Sequence, residues 1–191
     1  MPEQLSFVGF DAAPPSDGLF FALFPEAAAA TRAVELAQRL RTQHGLNGKV
    51  LPADRLHVSL LDLGEYAGLP NNIVATACTA AAGIAAPPFD VSFDRAMSFS
   101  GRPKSLPLVV RGGDGVKDLA AFQRALGIAM QTAGLGRAKA YTPHITLLYG
   151  ERRVDEQQAD PIGWTVREFV LVHSLLGQTR YIPLGRWPLR G

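Results

Sequence analysis

The strongest constraint on this chain is a repeat of order: an apolar strand, a helix, then a strand bearing His-x-Ser/Thr, run through twice. The first copy ends in Leu56-His57-Val58-Ser59 and the second in Pro143-His144-Ile145-Thr146. The same offset, 36 positions, separates Phe21 from His57 and Leu108 from His144. Outside the signatures the halves share little identity, so it is architecture that repeats. Successive side chains of a strand alternate between faces, which puts a histidine and a hydroxyl two residues apart on the same side. Two such strands in corresponding places predict two lobes related by a pseudo-twofold, with paired imidazoles and paired hydroxyls on one cleft.

Residues 1–17 carry Pro2, Pro14 and Pro15 and no sustained period, which predicts a loose N-terminal arm before a single two-lobed domain, 18–191, with intertwined lobes. Gly18 to Phe24 is apolar and aromatic, a buried strand. Pro25 and Glu26 suit the first turn of a helix. Helix formers from Ala28 to Gln43 carry it to a stop at Gly45. Arg55 to Leu63 is the first signature strand, and Pro70 opens a second helix reaching about Ala85. Phe89 to Phe99 alternates as a strand does, and the Ser100–Lys104 turn joins it to Leu106–Arg111 as an antiparallel pair. Asp114 is placed to cap a helix from Val116 to Ala133, which Gly134 and Gly136 end. Ala140 to Tyr149 is the second signature strand. A loop, one long strand from Trp164 to Leu176 and an extended segment from Arg180 to Leu189 complete the chain. Helix-length connections permit parallel neighbours and the short turn requires an antiparallel one. The expected fold is therefore α+β, with mixed, largely antiparallel sheets lining a central cleft and helices outside.

With 191 residues, 47% hydrophobic and 19% charged, the chain has the means to bury a core and is not of the disordered class. Its apolar runs are strand-length, which excludes a membrane span. The N-terminus lacks the basic start and apolar core of a signal peptide, pointing to the cytoplasm. The single cysteine, Cys78, excludes an internal disulfide and a thiolate zinc cluster, and reads as a small core residue of the second helix. A net charge of +2 does not by itself point to nucleic acid, although Arg180, Arg186 and Arg190 gather positive charge near the end. A metal site built on His57, His144 and His173 would lack a clustered carboxylate, so neither metal nor cofactor is expected.

Imidazole titrates near neutrality, so of two facing histidines one can be neutral and the other protonated at working pH. They titrate as a coupled pair. Hydroxyls beside them can donate to oxygens on which charge develops. This set is suited to proton transfer at a phosphate. Either motif alone reads as a core-edge histidine; the pair, at equal offsets, reads as one site. His173 alternates with Phe169 and Leu171 and is read as structural. His44 closes a helix where a cation is favourable and is given no role. Phe20, Phe21 and Tyr141 offer rings on which a nucleobase could stack. Arg180 and Tyr181 are candidates for phosphate or ribose contact, and Trp187 for packing.

The paired motifs have distinctive flanks: Leu19-Phe20-Phe21-Ala22, Pro52-Ala53-Asp54-Arg55-Leu56, Tyr141-Thr142-Pro143, Thr179-Arg180-Tyr181 and Leu184-Gly185-Arg186-Trp187. Together they resemble the two-histidine phosphoesterases, in particular the bacterial 2′-5′ RNA ligase, or RNA 2′,3′-cyclic phosphodiesterase, group, over about Gly18 to Leu189. The resemblance implies a bilobal α+β fold and metal-independent hydrolysis of a 2′,3′-cyclic phosphate to a 2′-phosphate, with reverse 2′-5′ joining of RNA ends. It implies His57 and His144 as catalytic residues and Ser59 and Thr146 as phosphate-binding residues. By analogy with relatives, His144 is the base and His57 the acid. Phe21, Tyr141, Tyr149, Arg180 and Tyr181 are the candidate substrate contacts. The implied partners are RNA 3′ ends or small cyclic nucleotides, with no cofactor, no obligate protein partner and a monomeric state. Several relatives place an arginine shortly after the second motif, where this chain has Tyr149 and Gly150; Arg152 or Arg153 could substitute from the loop. The competing reading is an RNA-end or nucleotide binding module using the same cleft without efficient turnover. Retention of both hydroxyls argues against a decayed site.

Overall fold

The apolar-aromatic run after Ser16 becomes the hub of a sheet. In the computed structural model, which describes residues 13–136 and 140–190, this run is β1 (Asp17–Leu23). It lies between β2 (Val58–Tyr66) and β7 (Glu168–Leu175), and β8 (Arg180–Pro188) completes the order β2-β1-β7-β8. A second sheet has the order β5-β4-β3-β6, from β3 (Phe89–Ser98), β4 (Leu106–Arg111), β5 (His144–Gly150) and β6 (Gln157–Val166). Every registered pair within both sheets is antiparallel. The helix-length connections from β1 to β2 and from β4 to β5 thus return to antiparallel neighbours, while that from β2 to β3 crosses to the other sheet. α1 (Ala27–Gln43) joins β1 to β2, α2 (Asn71–Ala82) joins β2 to β3, and α3 (Lys117–Thr132) joins β4 to β5.

The two sheets correspond place by place: β2 with β5, β1 with β4, β7 with β3 and β8 with β6. The units β1-α1-β2 and β4-α3-β5 are the two copies foreseen from the 36-residue offset. α1 buries Ala29, Ala30, Ala33, Leu36, Ala37 and Leu40, an apolar stripe at helical spacing, and ends where Gly45 takes a φ of 57°. It reaches across to the other sheet: Arg32 donates to the Gly163 carbonyl at 2.8 Å and Arg39 pairs with Asp160 at 2.9 Å. One apolar core runs through both lobes, with Phe93 stacked on Trp164 and Phe21 packed against Phe169 and Trp187.

Three expectations change. Asp114 does not cap α3; it lies in a 3₁₀ turn and pairs on the surface with Lys117 at 3.1 Å. The stretch from Trp164 to Leu176 is two strands in different sheets, broken at Arg167, and β6 already starts at Gln157. β6 is an edge strand with irregular register between Phe93 and Arg95 of its neighbour, which is where Pro161 and its missing N–H are tolerated. The signature strands begin later than the alternation suggests. A 3₁₀ turn takes Ala53–Arg55, so β2 opens just after His57, and β5 opens on His144 itself. Of the proposed N-terminal arm, residues 1–12 lie outside the described residues.

Candidate active site

Both histidines are anchored the same way. His57 Nδ1 lies 2.8 Å from the Arg55 carbonyl, and His144 Nδ1 lies 2.7 Å from the Thr142 carbonyl. A carbonyl only accepts, so each Nδ1 carries the hydrogen. In the neutral ring this leaves Nε2 as the basic nitrogen, and in the cation it makes Nε2 a second donor. The same two-residue reach to its own backbone fixes each ring and its tautomer. A phenylalanine flanks each: Phe20 at 5.3 Å from His57 and Phe99 at 4.9 Å from His144, between ring centroids.

β-Bulges decide what shares their face. On β2, Leu60 and Leu63 have no register partner on β1, so Ser59 faces with Ala22 and Asp62 with Phe20, on the side opposite the buried Phe21. On β5, Leu147 is the unpaired residue, so Thr146 and Tyr149 share a face although three positions apart. The face holding His144 therefore also carries Thr146 and Tyr149, while Ile145, Leu147 and Leu148 are buried. A cavity of about 540 Å³ is walled by Ser59, Asp62, Gln123, Tyr141, Thr142 and His144 among others. A smaller recess of about 280 Å³ is lined by Phe20, His57, Ser59, Asp62 and Tyr181. Ser59 and Asp62 border both, so the two hollows form one cleft passing both histidines. Gln123 braces it from α3 by donating to the Leu60 carbonyl at the bulge, 3.2 Å away.

Burial holds the His57 pKa below that of an ordinary imidazole. The hydrogen bond to the Arg55 carbonyl opposes this, while the charges of Arg55 and of His144 reinforce it. The smallest of these effects, the charge of His144, sets the second imidazole within electrostatic reach of the first. Burial raises the pKa of Tyr141, whose hydroxyl meets no hydrogen-bond partner among the described residues. Burial also raises that of Tyr149, which is sensitive to Tyr181 and Arg55.

The structure brings together His57, Ser59, His144, Tyr141 and Tyr181 around this cleft; Thr146 and Tyr149 share the His144 face of β5 but line neither hollow. It removes Phe21, which is fully buried against Phe169 and Trp187 and offers no face to a substrate; the ring beside His57 is that of Phe20. Arg180 is exposed at the start of edge strand β8 and does not line either hollow. Arg152 lies against Gly45 past the end of α1 rather than in the cleft. His173 is buried and bonded to Asp17, consistent with a structural role. His44 meets the Gln157 amide at 2.8 Å. Cys78 is half-buried. Sequence reasoning missed Arg55, Phe99 and Gln123. Arg55 had a usable signal, since continuing the alternation two residues back from His57 reaches it. Among the described residues, no cluster of three or more His, Cys, Asp or Glu side chains could hold a metal ion, and no helix is long and apolar enough to cross a membrane.

Two antiparallel sheets that each deliver a His-x-Ser/Thr strand to one cleft define the two-histidine class of phosphoesterases. The model of the 2′-5′ RNA ligase superfamily matches residues 5–178, and the chain belongs to that family. Among solved structures it is similar to E. coli LigT complexed with 3′-AMP, at 26% identity and a TM-score of 0.69, over 93% of this chain and 100% of that one. The crystal structure of a phosphoesterase matches at 24% identity, a TM-score of 0.73 and the same coverage. A Thermus thermophilus protein, TT0787, matches at 23% identity and a TM-score of 0.71, over 91% of this chain and 98% of that one. No curated protein matches the sequence significantly.

Proposed function

We propose that this phosphoesterase hydrolyses 2′,3′-cyclic phosphates, at RNA ends or on nucleotides, to 2′-phosphates without a metal ion, and that the same site can run 2′-5′ joining in reverse. The observation that carries the reading is the matched anchoring of two imidazoles by Nδ1, which leaves two Nε2 atoms for one cleft. One neutral ring takes a proton from water as the oxygen attacks phosphorus. The other, protonated, gives its proton to the departing O3′ as the P–O3′ bond breaks, leaving phosphate on O2′. Ser59 and Thr146 donate hydrogen bonds to the non-bridging oxygens as charge gathers on them. Burial and Arg55 favour the uncharged form of His57. This supports His57 as base and His144 as acid for hydrolysis, the reverse of the order that analogy with relatives implies.

The test is turnover of a nucleoside 2′,3′-cyclic phosphate in the presence of EDTA, with His57→Ala and His144→Ala alongside. Each substitution should lower kcat by about 10²–10⁴-fold, and the pH–rate profile should be bell-shaped. Saturable binding with no product after long incubation would replace this reading with that of a binding module.

A further inference from the structure

The duplicated site breaks its own symmetry at matching positions. Two residues before and five after His144 stand Thr142 and Tyr149; the same steps from His57 reach Arg55 and Asp62. Thr142 and Asp62 line the large cavity. Beside the smaller recess, against its Tyr181, stands a guanidinium. Arg55 Cζ lies 3.9 Å from the centroid of the Tyr181 ring, which in turn meets His57 edge-on at 5.4 Å. Arg55 Nη1 donates to the carbonyl of Thr179, a residue held at a φ of 53° that only glycine adopts readily. Its Nε is buried and has no acceptor, and among the described residues no carboxylate pairs with it. Stacking and the Thr179 carbonyl thus fix, beside an imidazole, a half-buried cation that no described carboxylate neutralises, a charge that an anion offsets.

Resting on the proposed hydrolysis of cyclic phosphates, we infer that Arg55 forms a second anion subsite, which takes a phosphate carried on the 5′ oxygen of the nucleoside whose cyclic phosphate lies between the histidines. A 2′,3′-cyclic phosphate occupies both O2′ and O3′, so O5′ is the ribose hydroxyl position left to bear another phosphate. The placement is suitable: the guanidinium stacks on the same Tyr181 ring that meets His57 edge-on, so one aromatic ring separates it from the imidazole, the scale of one sugar between neighbouring phosphates. That phosphate is either a linkage within RNA or a terminal 5′-phosphate, and the two share the chemistry that Arg55 recognises.

The experiment compares kcat/KM on adenosine 2′,3′-cyclic phosphate, on its 5′-phosphorylated form and on the dinucleotide ApA ending in a cyclic phosphate. Alongside, titration calorimetry compares adenosine 2′-phosphate with adenosine 2′,5′-bisphosphate. The natural chain should prefer the additional phosphate about tenfold, the scale of one charge-assisted hydrogen bond. Arg55→Gln should collapse that preference to within about twofold, and Arg55→Lys should restore part of it. Preference for the dinucleotide with no bisphosphate effect would place the subsite on RNA linkages; preference for both would assign it to any 5′-phosphate. Equal losses on every ligand in Arg55→Gln, or no preference in the natural chain, would overturn the subsite and leave Arg55 a staple for Thr179 and Tyr181. Absence of cyclic phosphate turnover would remove the proposed reaction, while the bisphosphate titration would still read Arg55.

Discussion

Phe20 and Phe21 are chain neighbours on β1 with opposite duties, and truncating them one at a time should separate stability from activity. Phe21 is fully buried, with its ring centroid 6.0 Å from that of Phe169 and 6.0 Å from that of Trp187. Phe21→Ala removes a ring from a closed site, leaving a cavity that aromatic neighbours fill poorly, at a cost of about 3–5 kcal/mol. At roughly 2–4 °C per kcal/mol for a chain of this size, Tm should fall by about 6–20 °C. Phe20 is only half-buried and packs on the other face, 5.3 Å from His57 and 5.4 Å from Tyr181. Phe20→Ala opens a surface recess rather than a sealed void, so about 1 kcal/mol is expected, with a larger effect on kcat because the His57 ring loses a wall. Urea melts at a common m-value report stability, and kcat/KM on a nucleoside 2′,3′-cyclic phosphate reports activity; Phe21→Leu serves where the alanine variant does not fold. A Phe20→Ala protein that melts as early as Phe21→Ala would refute the assignment of faces, as would full stability in Phe21→Ala.

Arg55→Gln removes a positive charge that opposes protonation of His57, so the His57 pKa should rise and the acid limb of the pH–rate profile move to higher pH; an unmoved limb argues against His57 as base. Asp17 is held below its usual range by hydrogen bonds from Ser16 and His173. Its stabilisation is therefore complete above its unfolded value of 3.8 and is lost as pH falls through the lower folded value, and Asp17→Asn should flatten the dependence of the urea midpoint in that window. Buried Ser98 accepts the Val154 N–H at 3.0 Å. Ser98→Ala should cost about 1–3 kcal/mol, read as a lower urea midpoint with unchanged m; an unchanged midpoint shows that the N–H finds another acceptor.

Order and pairing were legible because they rest on local signals. The apolar run into Leu23, the alanine-rich α1, the alternation of β3 and the glycines after α3 each act within a few residues. What escaped was set by distant neighbours. β6 contains Asp160, Pro161 and Gly163, turn chemistry by any local rule. It is a strand because β3 offers it an edge, where Gly163 is needed: a Cβ there would fall 2.8 Å from the Val91 carbonyl oxygen. The site was legible to the same depth. His-x-Ser/Thr follows strict alternation, but Asp62 joins the face of Ser59, and Tyr149 that of His144, only through bulges that shift the period by one. Alternation could not say whether Phe20 or Phe21 faced His57, since both flank the same strand. Pairing with Asp62 decides it.

Duplication accounts for why the two histidines match; a fixed division of labour between them requires that their surroundings differ. Two interacting imidazoles of equal proton affinity share one proton over a limited pH window, but nothing then fixes which of them holds it. Here the backbone anchors are equivalent, Nδ1 to the carbonyl two residues back in each copy. The departures from symmetry lie in what surrounds the rings. His57 has Phe20, Phe24 and Tyr181 within ring-contact distance and the charge of Arg55 beside it. His144 has Phe99 and borders the large cavity. The shared architecture therefore anchors both rings alike, and under the proposed reaction the residues that differ between the copies decide which one gives up its proton. Arg55 does both jobs at once in this scheme. Its carbonyl fixes the tautomer of His57, while its charge adds to burial in lowering the pKa of that ring.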